Sequence, residues 1–388
     1  MLDYYFSSNK SRTFFLLVTL VVVICSFYGR VNDFNYALWS IDYYFGFVRR
    51  GLGGEVLGFV FPEPYSQETL KLSFSLMFLV FCSGVLYFFS RNRVFSVSAL
   101  AVVVCSGFFF QQFGYDQGKF DIYIVFLLMA SLLSVDPVRP LFSFVLVSVF
   151  TGVALLIHEA SAFIMVPGVM AALLIQSAEV KKNLVVVVAY WFVSVVLFSI
   201  IYLFGAESVS FDVRFDRSHS LMPFLRDDND VFKIAGRSMQ DNISMTLLKW
   251  QDGRVVSRML LNLVASLPFI AMLYLVVKQM WRVSRLSVFG LMLVVFSVLP
   301  LHLLGIDFYR WNALMFTLAF IYVAYAGRVN SVFYQFPAWL LVTALIFSLW
   351  SGPFGVSTSL PVRGFLLSFF ARFLPGPLML PAYRGFNR

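Results

Sequence analysis

Long uninterrupted apolar runs, separated by short polar segments, dominate the chain. The runs are continuously apolar and do not alternate, which predicts membrane-spanning helices and argues against the strands of a transmembrane barrel. A spanning helix needs ~20 apolar residues, and about eleven runs approach that length. They are Thr13–Tyr28, Leu72–Ser90, Val94–Phe110, Phe120–Val135, Leu141–Ile157, Ala160–Gln176, Leu184–Phe204, Met259–Val277, Leu286–Leu304, Trp311–Ala326 and Val332–Trp350.

The composition supports this pattern. Hydrophobic residues make up 60% of the 388 residues and charged residues only 13%, against ~45–50% hydrophobic in ordinary soluble domains. These values exclude a disordered chain and a soluble nucleic-acid-binding module, and the three cysteines are too few for a disulfide scaffold. The sequence therefore predicts an all-α, polytopic integral membrane protein that forms a single membrane domain over residues 1–388.

The basic residues set the expected orientation, because Lys and Arg accumulate in cytoplasmic loops. With the N-terminus inside, the inner segments carry three acidic residues and eleven basic ones: Lys10, Arg12, Arg91, Arg93, Arg139, Lys181, Lys182, Lys278, Arg282, Arg285 and Arg328. This bias predicts a cytoplasmic N-terminus and places the longer polar segments on the outer side.

Three outer segments hold much of the remaining polarity: residues 29–71, 205–258 and 351–388. Within the first, the apolar stretch Gly46–Phe61 is expected to lie in the membrane surface or re-enter it. The second has mixed charge and is expected to form an external lid, with an amphipathic stretch at Ile234–Leu248. The inner loops are too short for a nucleotide-binding domain, so chemistry is expected on the outer side, without cofactor or metal.

The first candidate site is the pair Arg49 and Arg50, followed by glycines at 51, 53 and 54. Arginine forks suit phosphate oxygens, and glycine lets backbone N–H groups approach an anion. The alternative is interfacial anchoring of a basic pair at a helix end.

Two further candidate sites lie where later apolar runs begin. Lys119 and Asp121 would face a cavity, or Asp121 would only complement the dipole of its helix N-terminus. His158 and Glu159 lie between two apolar runs, where either could serve as a general base; the alternative is a tight turn in water. The pair is no zinc motif, because Ala162 stands where a second histidine would be required.

The fourth candidate is Asp307 with Arg310, which share a face on a helical turn and should pair. Arg310 would bind an anion, or the two would form only a local ion pair in an aromatic belt. The predicted orientation puts all four candidates at one depth, so we expect one outward-facing polar cavity.

Together these features resemble the polytopic bacterial polymerases of surface polysaccharides, the Wzy and EpsG-like group. The resemblance lies in many spans, a basic motif after the first span, a histidine opening a later span (Leu156-Ile157-His158-Glu159-Ala160), and an arginine before a late span (Asp307-Phe308-Tyr309-Arg310). It implies a bacterial inner-membrane protein with a periplasmic active face. It also implies an oligosaccharide linked to undecaprenyl diphosphate as substrate, with membrane lipids and a chain-length regulator as candidate partners, and no nucleic acid.

Under this hypothesis the protein joins lipid-linked repeat units. Arg49, Arg50 and Arg310 hold the diphosphate, and His158 or Glu159 takes the proton of the acceptor hydroxyl. One alternative is a GT-C-type glycosyltransferase that uses a polyprenyl-phosphate sugar, with Asp33 or Asp42 as base. Another is a lipid or polysaccharide transporter without chemistry.

Overall fold

A computed structural model describes residues 9–27, 31–176, 179–205, 211–226 and 239–353. Its helices in chain order are α1 (Asn9–Phe27), α2 (Asp33–Leu38), α3 (Gly51–Val60), α4 (Gln67–Asn92), α5 (Val97–Val104), α6 (Phe110–Tyr115), α7 (Asp121–Ser134), α8 (Pro140–Ile157), α9 (Ser161–Ile175), α10 (Val180–Phe204), α11 (Phe211–Leu221), α12 (Met239–Trp250), α13 (Gly253–Val283), α14 (Arg285–Phe296), α15 (Leu301–Leu304), α16 (Phe308–Val329) and α17 (Ala338–Ser351). The described part is all-helical, apart from one isolated bridge between Phe95 and Tyr334.

Within the described residues, six helical segments are long and apolar enough to cross a membrane. They are Gln67–Asn92, Pro140–Ile157, Lys181–Phe204, Val255–Val283, Arg285–Leu304 and Phe308–Val329. Four other predicted runs correspond to the shorter helices Arg12–Phe27, Asp121–Ser134, Ser161–Ile175 and Ala338–Ser351. The all-helical membrane fold is thus found, with six candidate spans.

The predicted span Val94–Phe110 is wrong as a continuous helix. It breaks after α5, and the chain turns through Ser106 and Gly107 before α6 begins. The freed backbone carbonyls find partners, because Gln111 donates to the oxygen of Cys105 at 2.6 Å and Thr317 to that of Phe108 at 2.7 Å. Irregular backbone at this depth is stable only when protein covers it and satisfies its polar groups.

Helix α16 is the centre of the bundle. In its most apolar window 78% of the residues are buried, far more than in the other five candidate spans. It packs against α4, α9, α13 and α14. A helix buried on all sides holds its ends firmly, and Arg310 lies in the first turn of this one.

A separate apolar cluster covers one end of the bundle and joins the first outer segment to α11. It contains Tyr36, Trp39, Leu57, Phe74, Leu221, Met222 and Leu225. Polar contacts reinforce the join: the Tyr65 N–H donates to the carbonyl of Leu221 at 2.7 Å, and the Ser40 hydroxyl donates to Ser218 at 2.9 Å.

The predicted outer loop 205–258 is therefore partly ordered as α11, α12 and the start of α13. Residues 206–210 and 227–238 of that loop lie outside the described part, as does 354–388 of the predicted outer tail. The amphipathic stretch expected at Ile234–Leu248 corresponds in its described portion to α12.

Candidate functional site

Arg50 and Glu159 form the first half of a charged cluster. Arg50 caps α3 in a left-handed conformation, with φ 67°, and directs its guanidinium at the junction of α8 and α9. Its Nε lies 2.9 and 3.1 Å from the two carboxylate oxygens of Glu159, and its Nη2 also donates to Glu159. Such bidentate pairs combine charge with fixed geometry.

His158 ends α8 and contacts the same carboxylate. Its Nδ1 lies 3.3 Å from a Glu159 oxygen, and the backbone N–H of Ala160 donates to that Nδ1 at 3.1 Å. A nitrogen that accepts from the backbone must carry a lone pair, so the neutral ring carries its proton on Nε2. In this tautomer the Nε2–H of His158 is a hydrogen-bond donor, and Nε2 cannot act as a base.

The second half of the cluster is built around Arg310 and Lys119. The Arg310 Nε lies 2.9 Å from Asp121, and the Arg310 Nη1 donates to Asp307, which confirms the predicted pairing within the turn. Lys119 Nζ lies 3.5 Å from Asp307 and 3.4 Å from Asp116. Three carboxylates thus share two cations in a largely buried volume.

The two halves lie at the same end of the bundle. Arg50, Asp121 and Arg310 are at helix N-termini, and His158 follows a helix C-terminus. They also interact: Asp307 contributes to a raised pKa of Arg50, although burial opposes it and Glu159 contributes more. The ring of Phe120 lies 6.3 Å from that of His158, edge to face, and bridges the halves.

The turn before α7 is held by side chains from distant segments. Asn35 donates to Asp116 at 3.0 Å and to the Gln117 carbonyl at 2.7 Å, while Trp39 donates to the Gly118 carbonyl at 2.6 Å. Gly118 has φ +86°, and a Cβ there would lie 2.9 Å from the Phe74 ring. Only glycine fits this turn without strain, and the turn fixes where Lys119 points.

The glycines after Arg50 serve packing. A Cβ on Gly51 would lie 2.3 Å from the Tyr43 ring, one on Gly53 2.9 Å from the Phe120 ring, and one on Gly54 2.2 Å from the Ile41 carbonyl oxygen. Protein atoms therefore occupy the space that a side chain would need at each of the three positions, and the approach of an anion to their N–H groups stays a prediction. These glycines let α3 approach the first outer segment and so position Arg50.

Three candidate residues lie outside the cluster. Arg49 stacks over the ring of Tyr202, with its guanidinium carbon 5.5 Å from the ring centroid. Asp42 pairs with Arg217 at 3.1 Å, and Asp33 lies 3.9 Å from Arg226 at the surface. The predicted role of Arg49 beside Arg50 therefore has no geometric support, and neither aspartate reaches the charges gathered around Arg310.

Asp116 is the member of the cluster that sequence reasoning missed. It is 4% exposed and lies between Asn35 and Lys119. The signal was present, because Asp116 belongs to the same short polar turn as Lys119. Burial raises its pKa, although Lys119 and Asn35 oppose that shift.

Every cation of the cluster is paired, the carboxylates outnumber the cations by one, and the half around Arg310 is closed. Three cations, Arg50, Lys119 and Arg310, face four carboxylates: Asp116, Asp121, Glu159 and Asp307. The cavity lined by Asp116, Lys119, Asp121 and Arg310 has a volume of about 10 Å³, roughly the minimum that one water requires. The site is therefore not a preformed positive pocket, and any anion must exchange with a carboxylate. Among the described residues no group of three or more His, Cys, Asp or Glu is placed to hold a metal ion.

The ion pairs set the protonation of the carboxylates. Burial alone would raise the pKa of Glu159, but Arg50 holds it well below its ordinary value of 4.5. Burial is likewise outweighed at Asp307, whose pKa is lowered by Lys119 and Arg310. Burial, and then Arg50, lower the pKa of His158. Near neutral pH the site therefore holds ionised Glu159 and Asp307 beside a neutral imidazole.

Replacing Arg50 by alanine should change the pH dependence of stability. In the wild-type protein the lowered pKa of Glu159 gives stability that is present above pH 4.5 and is lost as the pH falls. Without Arg50 only burial and His158 remain, so the pKa of Glu159 should rise and protonation should become favourable. We expect the melting-temperature deficit of Arg50→Ala to shrink as the pH falls from about 7 to about 5.

Arg49→Ala is the matched control, because it removes the neighbouring charge without touching Glu159. Its melting temperature should track the wild type at each pH. A deficit of Arg50→Ala that stayed constant over this range would show that Glu159 does not depend on Arg50.

Comparison with known proteins gives one match. Residues 10–224 match the family described as uncharacterised membrane protein Rv1490. No curated protein and no solved structure matches the chain. The matched region includes Arg50, Lys119 and the His158–Glu159 turn, and it spans more than half of the 388 residues. The chain therefore belongs to the Rv1490 family of membrane proteins.

Proposed function

We propose that the protein is a membrane glycosyltransferase that joins oligosaccharide units carried on a polyprenyl diphosphate. One observation carries the proposal: charged side chains from four segments separated by more than 250 residues meet at one end of a hydrophobic bundle. Gathering seven charges in such a protein, four of them at most 6% exposed, is unfavourable unless they serve each other or a ligand. Three of them are cations suited to phosphate oxygens.

Partner exchange explains how a cluster whose cations are all paired would bind an anion. A substrate phosphate would take the guanidinium of Arg50 from Glu159, and a second phosphate would compete with Asp121 and Asp307 for Arg310. Glu159 would then lose the cation that keeps its pKa low, while its burial would persist. Binding would thereby turn an inert carboxylate into a stronger base.

The proposed reaction transfers the glycan from the lipid diphosphate to the acceptor hydroxyl. The acceptor hydroxyl gives its proton to Glu159, and its oxygen forms a bond to the anomeric carbon. The bond between that carbon and the phosphate oxygen breaks, and the lipid diphosphate leaves with the electron pair. Arg50 and Arg310 stabilise the charge on the leaving group, and the Nε2–H of His158 donates to it. No nucleotide or cofactor takes part.

Access to the cluster requires movement of the covering layer. The cavity beside Arg310 has room for about one water, so the covering segments must move before a substrate phosphate can reach Arg310, whereas the side chain of Glu159 is already 25% exposed. Helix α11 is tied to the first outer segment by Arg217, which contacts both Asp42 and Glu63 at 3.1 Å. The contact with Glu63, whose side chain is 45% exposed, costs little to break, whereas the contact with Asp42 is partly buried; α11 would move as a lid only if both contacts open.

The finer topology belongs to the same proposal. We propose about eleven membrane segments with a cytoplasmic N-terminus in a bacterial inner membrane, the cluster facing the periplasm. The partners would be lipid-linked oligosaccharide, membrane lipids and a regulator of chain length.

A carrier without chemistry is the second candidate. Complete pairing of the cluster charges and a cavity of about 10 Å³ are what an occluded carrier would also present. The GT-C alternative relies on Asp33 or Asp42, and their pairing with Arg226 and Arg217 outside the cluster favours the polymerase over it.

The test is chain extension by the purified full-length protein in liposomes supplied with undecaprenyl-diphosphate-linked repeat units and no nucleotide. We expect a ladder of longer glycans. Arg50→Ala should reduce the rate by at least about 100-fold, because removing one preorganised donor to developing charge has an effect of that order. Arg49→Ala should stay within about threefold of wild type, because its guanidinium lies against Tyr202.

The outcomes separate the three candidates. Transfer of labelled lipid between leaflets without longer glycans would establish the carrier. Loss of extension in Asp33→Asn or Asp42→Asn, with full activity in Arg50→Ala, would move the active site to the first outer segment. Equal rates in Arg49→Ala and Arg50→Ala would remove the cluster from the mechanism.

A further inference from the structure

A second polar feature lies at the opposite end of the bundle. It is an open pocket of about 680 Å³, lined by Tyr87, Ser90, Arg91, Arg93 and Arg328. Arg328 follows Arg310 by eighteen residues on α16, which is ~27 Å along a helix axis. That length is close to the ~30 Å of a bilayer hydrocarbon core. The pocket and the charged cluster therefore belong to opposite membrane faces.

The pocket lies where the C-terminal ends of α4 and α16 pack together. Arg93 ends α4 in a left-handed conformation with φ 52°. The next residue, Val94, accepts a hydrogen bond from the Tyr334 N–H at 2.8 Å. A Cβ on Gly327 would lie 2.8 Å from Val94, so α16 packs against this segment with no spare room. The arginines are thus carried on rigidly joined backbone.

Its charge is uncompensated within the described chain. Three arginines line the pocket, and none of its lining residues is acidic. Their recorded contacts are neutral: Arg91 Nη1 lies 3.5 Å from the Tyr87 hydroxyl, and Arg328 lies 5.4 Å from the Tyr325 ring centroid. This differs from the charged cluster, where each cation has a carboxylate. Guanidinium groups placed this way favour an anion with several oxygens.

An exposed apolar stripe leads to the pocket along α4. Leu72, Leu76, Val80 and Tyr87 are 56%, 51%, 49% and 55% exposed. Spacings of four and seven residues put them on one face of the helix, and Ser90 and Arg91 continue that face. Tyrosine is typical of the level where hydrocarbon meets headgroups. A soluble anion would gain nothing from this stripe, whereas a lipid would lay its acyl chains along it.

We propose that this pocket binds the phosphate headgroup of an anionic phospholipid, with the acyl chains on the α4 stripe. A free phosphate ester would present the same phosphate oxygens to Arg91, Arg93 and Arg328, but it has no acyl chains to place on the α4 stripe. The stripe distinguishes the two sources. Zwitterionic lipids bind less well, because their ammonium group brings a positive charge to a site that has no carboxylate. Basic pockets between membrane helices are suited to this task.

The test is native mass spectrometry of the full-length protein in detergent with added dioleoyl phosphatidylglycerol. The same protein is measured with dioleoyl phosphatidylcholine and with glycerol 3-phosphate. We expect retained phosphatidylglycerol and little of either other probe. The double variant Arg91→Gln/Arg328→Gln should bind phosphatidylglycerol roughly 30-fold more weakly, given the contribution of each surface arginine. Lys278→Gln/Arg285→Gln removes the same charge from the C-terminal part of α13 and the first residue of α14 and should match the wild type.

Three results would overturn the proposal. These are equal retention of phosphatidylglycerol in the two double variants, equal retention of the two lipids by the wild type, and displacement of phosphatidylglycerol by glycerol 3-phosphate at matched concentration. The last would make the site one for soluble phosphate esters. The wild-type comparisons need no variant, so they decide the matter even where a variant is unstable, and none of them depends on glycosyl transfer.

Discussion

Replacing Arg310 by alanine is expected to lower the free energy of unfolding by about 3–5 kcal/mol, which is the effect of removing one partner from a buried ion pair. Arg310 is 6% exposed and contacts both Asp121 and Asp307. Asp307 would keep Lys119, but in the part of the chain that the structure describes Asp121 has no cation beside it other than Arg310. An uncompensated carboxylate in this low-dielectric position is more unfavourable than the loss of the pair itself.

The measurement is thermal unfolding of the purified protein in detergent. Combining Arg310→Ala with Asp121→Asn should recover a substantial part of the lost stability, because it removes the stranded charge. Arg49→Ala serves as the control for removing an arginine near the cluster. An unchanged melting temperature in Arg310→Ala would mean that water reaches Asp121 and that the cluster is not sealed.

Glu159→Gln is expected to slow chain extension by about 10²- to 10⁴-fold, the usual contribution of a general base. Glutamine keeps the size of the side chain and can still accept from Arg50, but it cannot hold the proton of an acceptor hydroxyl. The assay is the extension of lipid-linked repeat units in liposomes described above.

His158→Gln distinguishes the two candidates for the base. The glutamine amide can donate near the place of Nε2, so a donor role for His158 should survive with a loss of about tenfold or less, comparable to one neutral hydrogen bond. A reversed order, with Glu159→Gln active and His158→Gln inactive, would make the imidazole the base. It would also require the other tautomer, in which Ala160 does not donate to Nδ1.

The apolar pattern was a reliable guide to the bundle. Six of the predicted runs, including Leu141–Ile157 and Leu184–Phe204, correspond to helices long enough to span. Such runs predict helices because, in lipid, a single segment can satisfy its own backbone hydrogen bonds only as a helix. The prediction of one helix over Val94–Phe110 was wrong because the side chains of Gln111 and Thr317 donate to the backbone carbonyls where the helix breaks. The hydrophobicity of the run does not predict such hydrogen bonds.

Only part of the charged cluster could be predicted from the sequence. The ionisable residues at helix ends, such as Glu159 and Asp307, stood out against apolar neighbours, and the structure brings them to one end of the bundle. Arg49 and Arg50 looked equivalent in sequence, yet the left-handed conformation of Arg50 sends the two guanidinium groups in different directions. Backbone dihedrals of that kind depend on the packing of Gly51 and Gly54, which is a tertiary property.

The apolar runs of the sequence were enough to predict a helical membrane protein whose ionisable groups lie largely outside those runs, since lipid penalises charge and unpaired backbone wherever they occur. Only the tertiary structure decided which charges meet, that Asp116 joins them, and that every cation of the cluster already has a carboxylate. Pairing depends on distances of 3–4 Å between side chains hundreds of residues apart, and local sequence does not encode such distances.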